Sequence, residues 1–242
     1  IMHLLTHYLL MACLFSCVCA FLLPAEHGRQ PSRGGSSSFV FREQTTRDLS
    51  LSTATTTRTA ATSTRLYGNI DTARRYISDG MNAFRRGQVQ ESIALFDQAQ
   101  ALEPRLDPFL WQRGISYYYA NDFDKASQQF RRDVQVNPLD VEEIVWDIAS
   151  QCRGVGVHQF PIANALTLPD GQSDRRPIMA VVYQLFQGMG SEHALARFAT
   201  LGKRPSDEFY AYLYLGLFAE SALQDDTKAE LYLRQALHTD YA

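Results

Sequence analysis

The sequence predicts an all-α fold: short helical hairpins stacked as a small α-solenoid, with one irregular insertion. Three observations predict it. Gly80, Ser92, Phe96 and Pro104 are answered 34 residues later by Gly114, Ala126, Phe130 and Pro138, and self-similarity at such a period marks a helix-turn-helix array. Within each copy the small and apolar residues recur at three- and four-residue spacing, which is the period of one helix face. Glycine, Asn-Asp and proline stand where each helix has to stop.

In the first hairpin, Tyr76, Gly80 and Ala83 share one side of a helix that Gly87 breaks, and Ser92, Phe96 and Ala99 form the stripe of its partner, which ends before Pro104. The second hairpin repeats the plan with Leu110, Gly114 and Tyr117, a turn at Asn121-Asp122, then Ala126, Phe130 and Val134 and a stop at Asn137-Pro138. Small residues at Gly80, Gly114 and Ala126 let backbones approach, while Phe96 and Phe130 are expected to fill the space between hairpins. Two hairpins alone leave an apolar face uncovered, so more helices should follow. Val141 to Arg153, apolar at Ile144, Val145, Ile148, Ala149 and Cys152, fits the first helix of a third hairpin. Its partner is missing on schedule: Asn164 stands where a third Phe96-like residue is due, and Gly154 to Asp174 reads as irregular. Pro177 then opens a helix with Ile178, Val181, Val182, Leu185 and Phe186 that Gly188 ends, and Ser191 caps a short helix closed by Gly202. From Ser206 the repeat resumes with Tyr212, Leu215 and Gly216, then Ala229, Tyr232, Leu233 and Ala236, across a turn one residue longer at Gln224-Asp225-Asp226.

Charge is unevenly placed along the 242 residues. Six basic and three acidic residues precede Leu66, leaving 17 basic and 23 acidic for the rest, a balance of −6 that argues against a polyanion partner such as nucleic acid. Cys13, Cys17 and Cys19 lie in an apolar N-terminal run, so Cys152 is the one cysteine of the helical part and is expected to be a packed thiol. No Cys or His stands near it at metal-ligand spacing, and neither a metal nor a cofactor is expected. His193 and His238 make no metal pair, and Gly154-Val155-Gly156 lacks the third glycine of a phosphate loop. Glu142-Glu143 and Asp225-Asp226 read as helix N-terminal charges and solvated turns. A hydrolase built on Cys152 and His158 is the enzymatic alternative, with no orienting group or oxyanion site in sight. A non-catalytic binding module is therefore expected.

The small, aromatic and proline positions, in this order and in two in-register copies, resemble the tetratricopeptide repeat family. Two good repeats, a broken third, an irregular helical pair and a final repeat, together with the string Arg113-Gly114-Ile115-x-x-Tyr118-Tyr119, also resemble the bacterial tetratricopeptide lipoproteins that act as adaptors for envelope proteases. The resemblance implies a concave groove lined by the first helix of each hairpin. Carried onto this chain, it puts there Arg74, Ile77, Met81, Phe84 and Arg85, then Trp111, Ile115, Tyr118 and Tyr119, then Val145, Ala149 and Arg153. Ile77, Met81 and Trp111 stand where chaperone-binding members hold Lys and Asn, so a carboxylate clamp is not expected. The implied partner is a protein segment, extended or helical, with apolar anchors and some acidic character. Presentation of substrates to a protease is the alternative role.

Residues 1–20 have the layout of a cleavable signal peptide, with Tyr8 to Ala20 as an apolar run ending in small residues. Gly28 to Arg65 is rich in Ser, Thr and Arg, holds few acids and has no sustained apolar period, so 21–66 is expected to be disordered and transit-like. With Cys19-Ala20-Phe21 at the junction, this order resembles the bipartite presequences of algae with complex plastids. The resemblance implies a stromal protein with a helical domain at 67–242, acting in assembly or maintenance of a photosynthetic complex and meeting a membrane only through its partner. A secreted or endomembrane protein with a disordered linker is the alternative.

Overall fold

The computed structural model describes residues 56–155, 159–202 and 204–241, and every regular element among them is helical. The presequence-like stretch before Thr56 and residue His158 lie outside the described residues. In chain order come α1 (Thr56–Arg85), α2 (Val89–Leu102), a 3-10 turn (Pro104–Phe109), α3 (Trp111–Tyr119), α4 (Phe123–Val136) and α5 (Val141–Val155). After an irregular passage follow α6 (Pro177–Phe186), α7 (Glu192–Leu201), α8 (Pro205–Phe218), a π-helical turn (Ala219–Leu223) and α9 (Asp226–Leu237). Helices adjacent in sequence pack as neighbours, so the chain stacks as an all-α solenoid of hairpins.

One boundary differs from expectation. The first helix begins at Thr56, well before the expected domain start at 67, so part of the Ser/Thr/Arg-rich segment is helical. Extending a nucleated helix gains a hydrogen bond for each residue ordered, and Thr56 to Arg65 contains Ala60 and Ala61 but no proline or glycine to stop it.

The hairpin turns follow one rule. Gly87 (φ 76°) and Asn121 (φ 61°) each lie seven residues after Gly80 and Gly114 in the left-handed conformation that ends a helix. In both turns the next amide, of Gln88 or Asp122, donates five residues back, to the carbonyl of Ala83 or Tyr117. In the last hairpin the left-handed residue is Gln224 (φ 51°), eight after Gly216, and the Asp225 amide donates six back to Ala219. The expected one-residue extension is thus absorbed as a π-turn within the helix end, and Asp225 still caps α9 by accepting from the Lys228 amide at 3.0 Å.

Phe96 and Phe130 sit inside their own hairpins. A Cβ on Gly80 would stand 3.1 Å from the Phe96 ring, and one on Gly114 would stand 2.7 Å from that of Phe130. Phe130 also stacks on Trp146 of the next hairpin, centroids 6.0 Å apart, and so reaches into the inter-hairpin space as expected.

Helix α5 is the centre of the molecule. Ile144, Val145, Ile148 and Ala149 are fully buried, enclosed by α4, α6 and the π-turn. Helix α6 takes the place of the missing partner of α5, and the irregular passage is stitched beside it. Tyr183 Oη accepts from the Leu168 amide at 3.1 Å, Gln187 Nε2 donates to the Leu166 carbonyl at 2.7 Å, and Phe160 packs edge-on against Phe218 at 5.2 Å.

Candidate functional site

The 34-residue period sorts the groove residues into rows that cross the first helices of successive hairpins: Ile77, Trp111 and Val145; Met81, Ile115 and Ala149; Phe84, Tyr118 and Cys152; Arg85, Tyr119 and Arg153. Burial cuts across the rows. Phe84, Ile115, Tyr118, Val145 and Ala149 are core residues, and the expectation that they line a groove is corrected. The reason is coverage: α6 and the π-turn pack on α5 and close the third position, while the aromatic members turn inward on each other. Tyr118 meets Tyr119, Phe123 and Trp146 edge-on at 5.1, 5.5 and 5.3 Å. Its buried phenol is pushed well above its ordinary pKa by loss of water, and its hydroxyl has no hydrogen-bond partner.

What stays at the surface is a shorter strip. Ile77, Met81, Trp111 and Tyr119 are half-buried, with Tyr119 tilted against Phe84 at 5.9 Å and edge-on to Trp146 at 6.5 Å. Arg74 is exposed and reaches Asp71 at 3.5 Å. Arg85 donates to Asn82 Oδ1 at 2.8 Å. Arg153 lies over the Phe123 ring at 5.4 Å and donates to the Glu220 carbonyl at 3.4 Å, so it ties the second, third and last hairpins together as well as lining the strip. Such a strip can hold apolar side chains of a peptide while guanidinium groups face its carboxylates.

Arg113, read in the sequence as part of a family-like string, has a different job. It is 3 % exposed, and its guanidinium donates to Asp97 at 2.9 Å, Asp107 at 2.5 Å and Gln129 Oε1 at 3.0 Å, holding α2, the 3-10 turn and α4 to α3. One period later the same contact recurs with the charges exchanged. Asp147, fully buried, accepts from Arg131 at 3.1 Å, and also from Ser127 Oγ at 2.5 Å and Gln151 at 2.9 Å.

Cys152 is buried, and burial pushes its thiol up to about 12, so it is held protonated and covered at neutral pH. Among the described residues, no group of three or more His, Cys, Asp and Glu is placed to hold a metal ion, and no helix is long and apolar enough to cross a membrane.

Sequence reasoning missed the acids at the start of α5. Glu143 is buried and not a solvated helix-end charge, and Glu142 pairs with Arg176 at 2.8 Å. The one signal was the string Asp140-x-Glu142-Glu143 at a junction too short to carry all its carboxylates away from the core.

No protein-family model matches the chain, and no curated protein or solved structure matches it.

Proposed function

We propose that this chain is a non-catalytic protein-binding scaffold of the tetratricopeptide type, acting in the plastid stroma in assembly or maintenance of a photosynthetic complex. The observation that carries the binding role is the half-buried strip of Ile77, Met81, Trp111 and Tyr119 beside Arg74, Arg85 and Arg153. Aromatic side chains and arginine are the types that concentrate binding energy at interfaces. The partner is a protein segment with apolar anchors and acidic flanks. The bipartite N-terminal composition supports the plastid assignment.

The test is affinity capture from isolated plastids with the full chain and with a Trp111→Ala/Tyr119→Ala variant. The native chain should retain a photosynthetic subunit or an assembly factor. The variant should lose it while keeping its helical circular dichroism and its melting temperature within a few degrees. A variant that melts far lower assigns the two rings to the core and removes the strip as a site. A fluorescent fusion of the first 66 residues should reach the plastid; signal in the endomembrane system or the medium overturns the location.

A further inference from the structure

We propose that Asp133, Asp140 and Glu143 hold a proton in common that latches the second hairpin to the third, so that this junction loosens when the proton is lost to solvent. Only the short turn at 137–140 separates α4 from α5, so the last turn of one and the first turn of the other are held side by side. Asp140 caps α5: its Oδ1 accepts the Glu142 amide at 3.0 Å and its Oδ2 accepts Asn137 Nδ2 at 3.1 Å. Those two donors fix the Asp140 carboxylate at the head of α5, beside the last turn of α4. Glu143, three residues on, is 6 % exposed with its Oε2 lacking any partner, and Asp133 on α4 is 5 % exposed.

Two arginines of the flanking elements are already engaged. Arg176, ahead of α6, is held by Asp174 and Glu142, each at 2.8 Å, and Arg132 on α4 faces Asp107 at 3.7 Å. From α8, buried Tyr214 faces Glu142, Glu143 and Tyr210. Asp147, one turn further along α5, is engaged by Ser127, Arg131 and Gln151. Asp133, Asp140, Glu142 and Glu143 thus share the junction of α4 and α5, where Arg176 pairs with Glu142 alone of the four, and like charges so placed cannot all ionise without forcing their helices apart. Burial first, and then the charge of Asp140, push the Asp133 carboxyl up to about 7 and that of Glu143 well above the carboxylate range. The latch thus works near neutral pH.

The test is native-state hydrogen exchange of the full chain at pH 6 and pH 8, each amide normalised to its intrinsic rate. Protection at 137–146 should fall about tenfold more than that of α2 from pH 6 to pH 8, one pKa unit's worth of coupling. In Glu143→Gln the ratio should return to near one. Asp133→Asn, nearer solvent, carries the same test should the first variant fold poorly. The proposal is overturned by an unchanged junction in the native chain, by an equal fall in α2, or by a ratio that persists in the variants.

Discussion

Glycine at positions 80 and 114 looks equivalent in the sequence, yet the two are not equally replaceable. Alanine gains roughly 1 kcal/mol of helix propensity over glycine in a helix interior. At Gly80 the new methyl would meet the Phe96 ring at 3.1 Å, a contact that a small ring shift relieves. At Gly114 it would meet Phe130 at 2.7 Å, and that ring is pinned between α3 and the Trp146 stack. Overpacking of this kind costs about 1–3 kcal/mol. Gly80→Ala should therefore leave stability within about 1 kcal/mol of the native value or raise it, and Gly114→Ala should lower it by up to about 2 kcal/mol once propensity is offset. Urea denaturation of both variants checks the contrast; equal effects would show that Phe130 moves as freely as Phe96.

Between elements, the recurring pair Asp97–Arg113 and Arg131–Asp147 shows what a period search discards. Both pairs join the second helix of one hairpin to the first helix of the next, at 2.9 and 3.1 Å, and both members are displaced by 34 residues, but the signs are exchanged. A search for like residues at like positions finds Gly80 and Gly114 and rejects these four. The exchange also disfavours mismatched packing, because α5 placed against α2 would bring Asp147 to Asp97, and α3 against α4 of another copy would bring Arg113 to Arg131. In each pair the buried partner lies on the first helix: Arg113 is 3 % exposed against 51 % for Asp97, and Asp147 is fully buried against 37 % for Arg131. Stability cost should follow that helix. Arg113→Ala should lose about 3 kcal/mol, because buried Gln129 and part-buried Asp107 are left unsatisfied, and Asp147→Ala about 1–2 kcal/mol, because its partners Ser127, Arg131 and Gln151 are only part-buried. Asp97→Ala and Arg131→Ala should each lose less than about 1 kcal/mol, as the buried residue keeps its other hydrogen bonds and the lost bridge is screened. The caps and stops were legible because each rests on local chemistry, a left-handed residue or a proline. These pairs were not, because charge carries no mark of its partner.

At the scale of the whole molecule, the helices of the first two hairpins were legible because their contacts are periodic, and the third position of the groove was misread where periodicity gives out. Val145 is in register with Ile77 and Trp111, but α6 and the π-turn return from far along the chain to cover it, which no spacing within 34 residues reports. The same return buries acids. Glu220, in the π-turn over α5, is 5 % exposed, and burial raises its carboxyl to about 7 with Arg153 opposing; Asp133 is raised to about 7 by burial and by Asp140. For such a group the unfolded chain ionises first as pH rises, so between about 4.5 and about 7 the folded chain binds more protons than the unfolded one. Stability contributed below that window is lost as pH rises through it and then levels off. The folded chain should accordingly be more stable near pH 5 than at pH 8. Glu220→Gln should remove part of that difference, at most about 3 kcal/mol, with the variant gaining on the native chain at pH 8 and matching it near pH 4.5. Urea denaturation at the two pH values measures it. An identical pH slope in the variant would mean that Glu220 titrates as an ordinary surface carboxylate, reached by water through the π-turn.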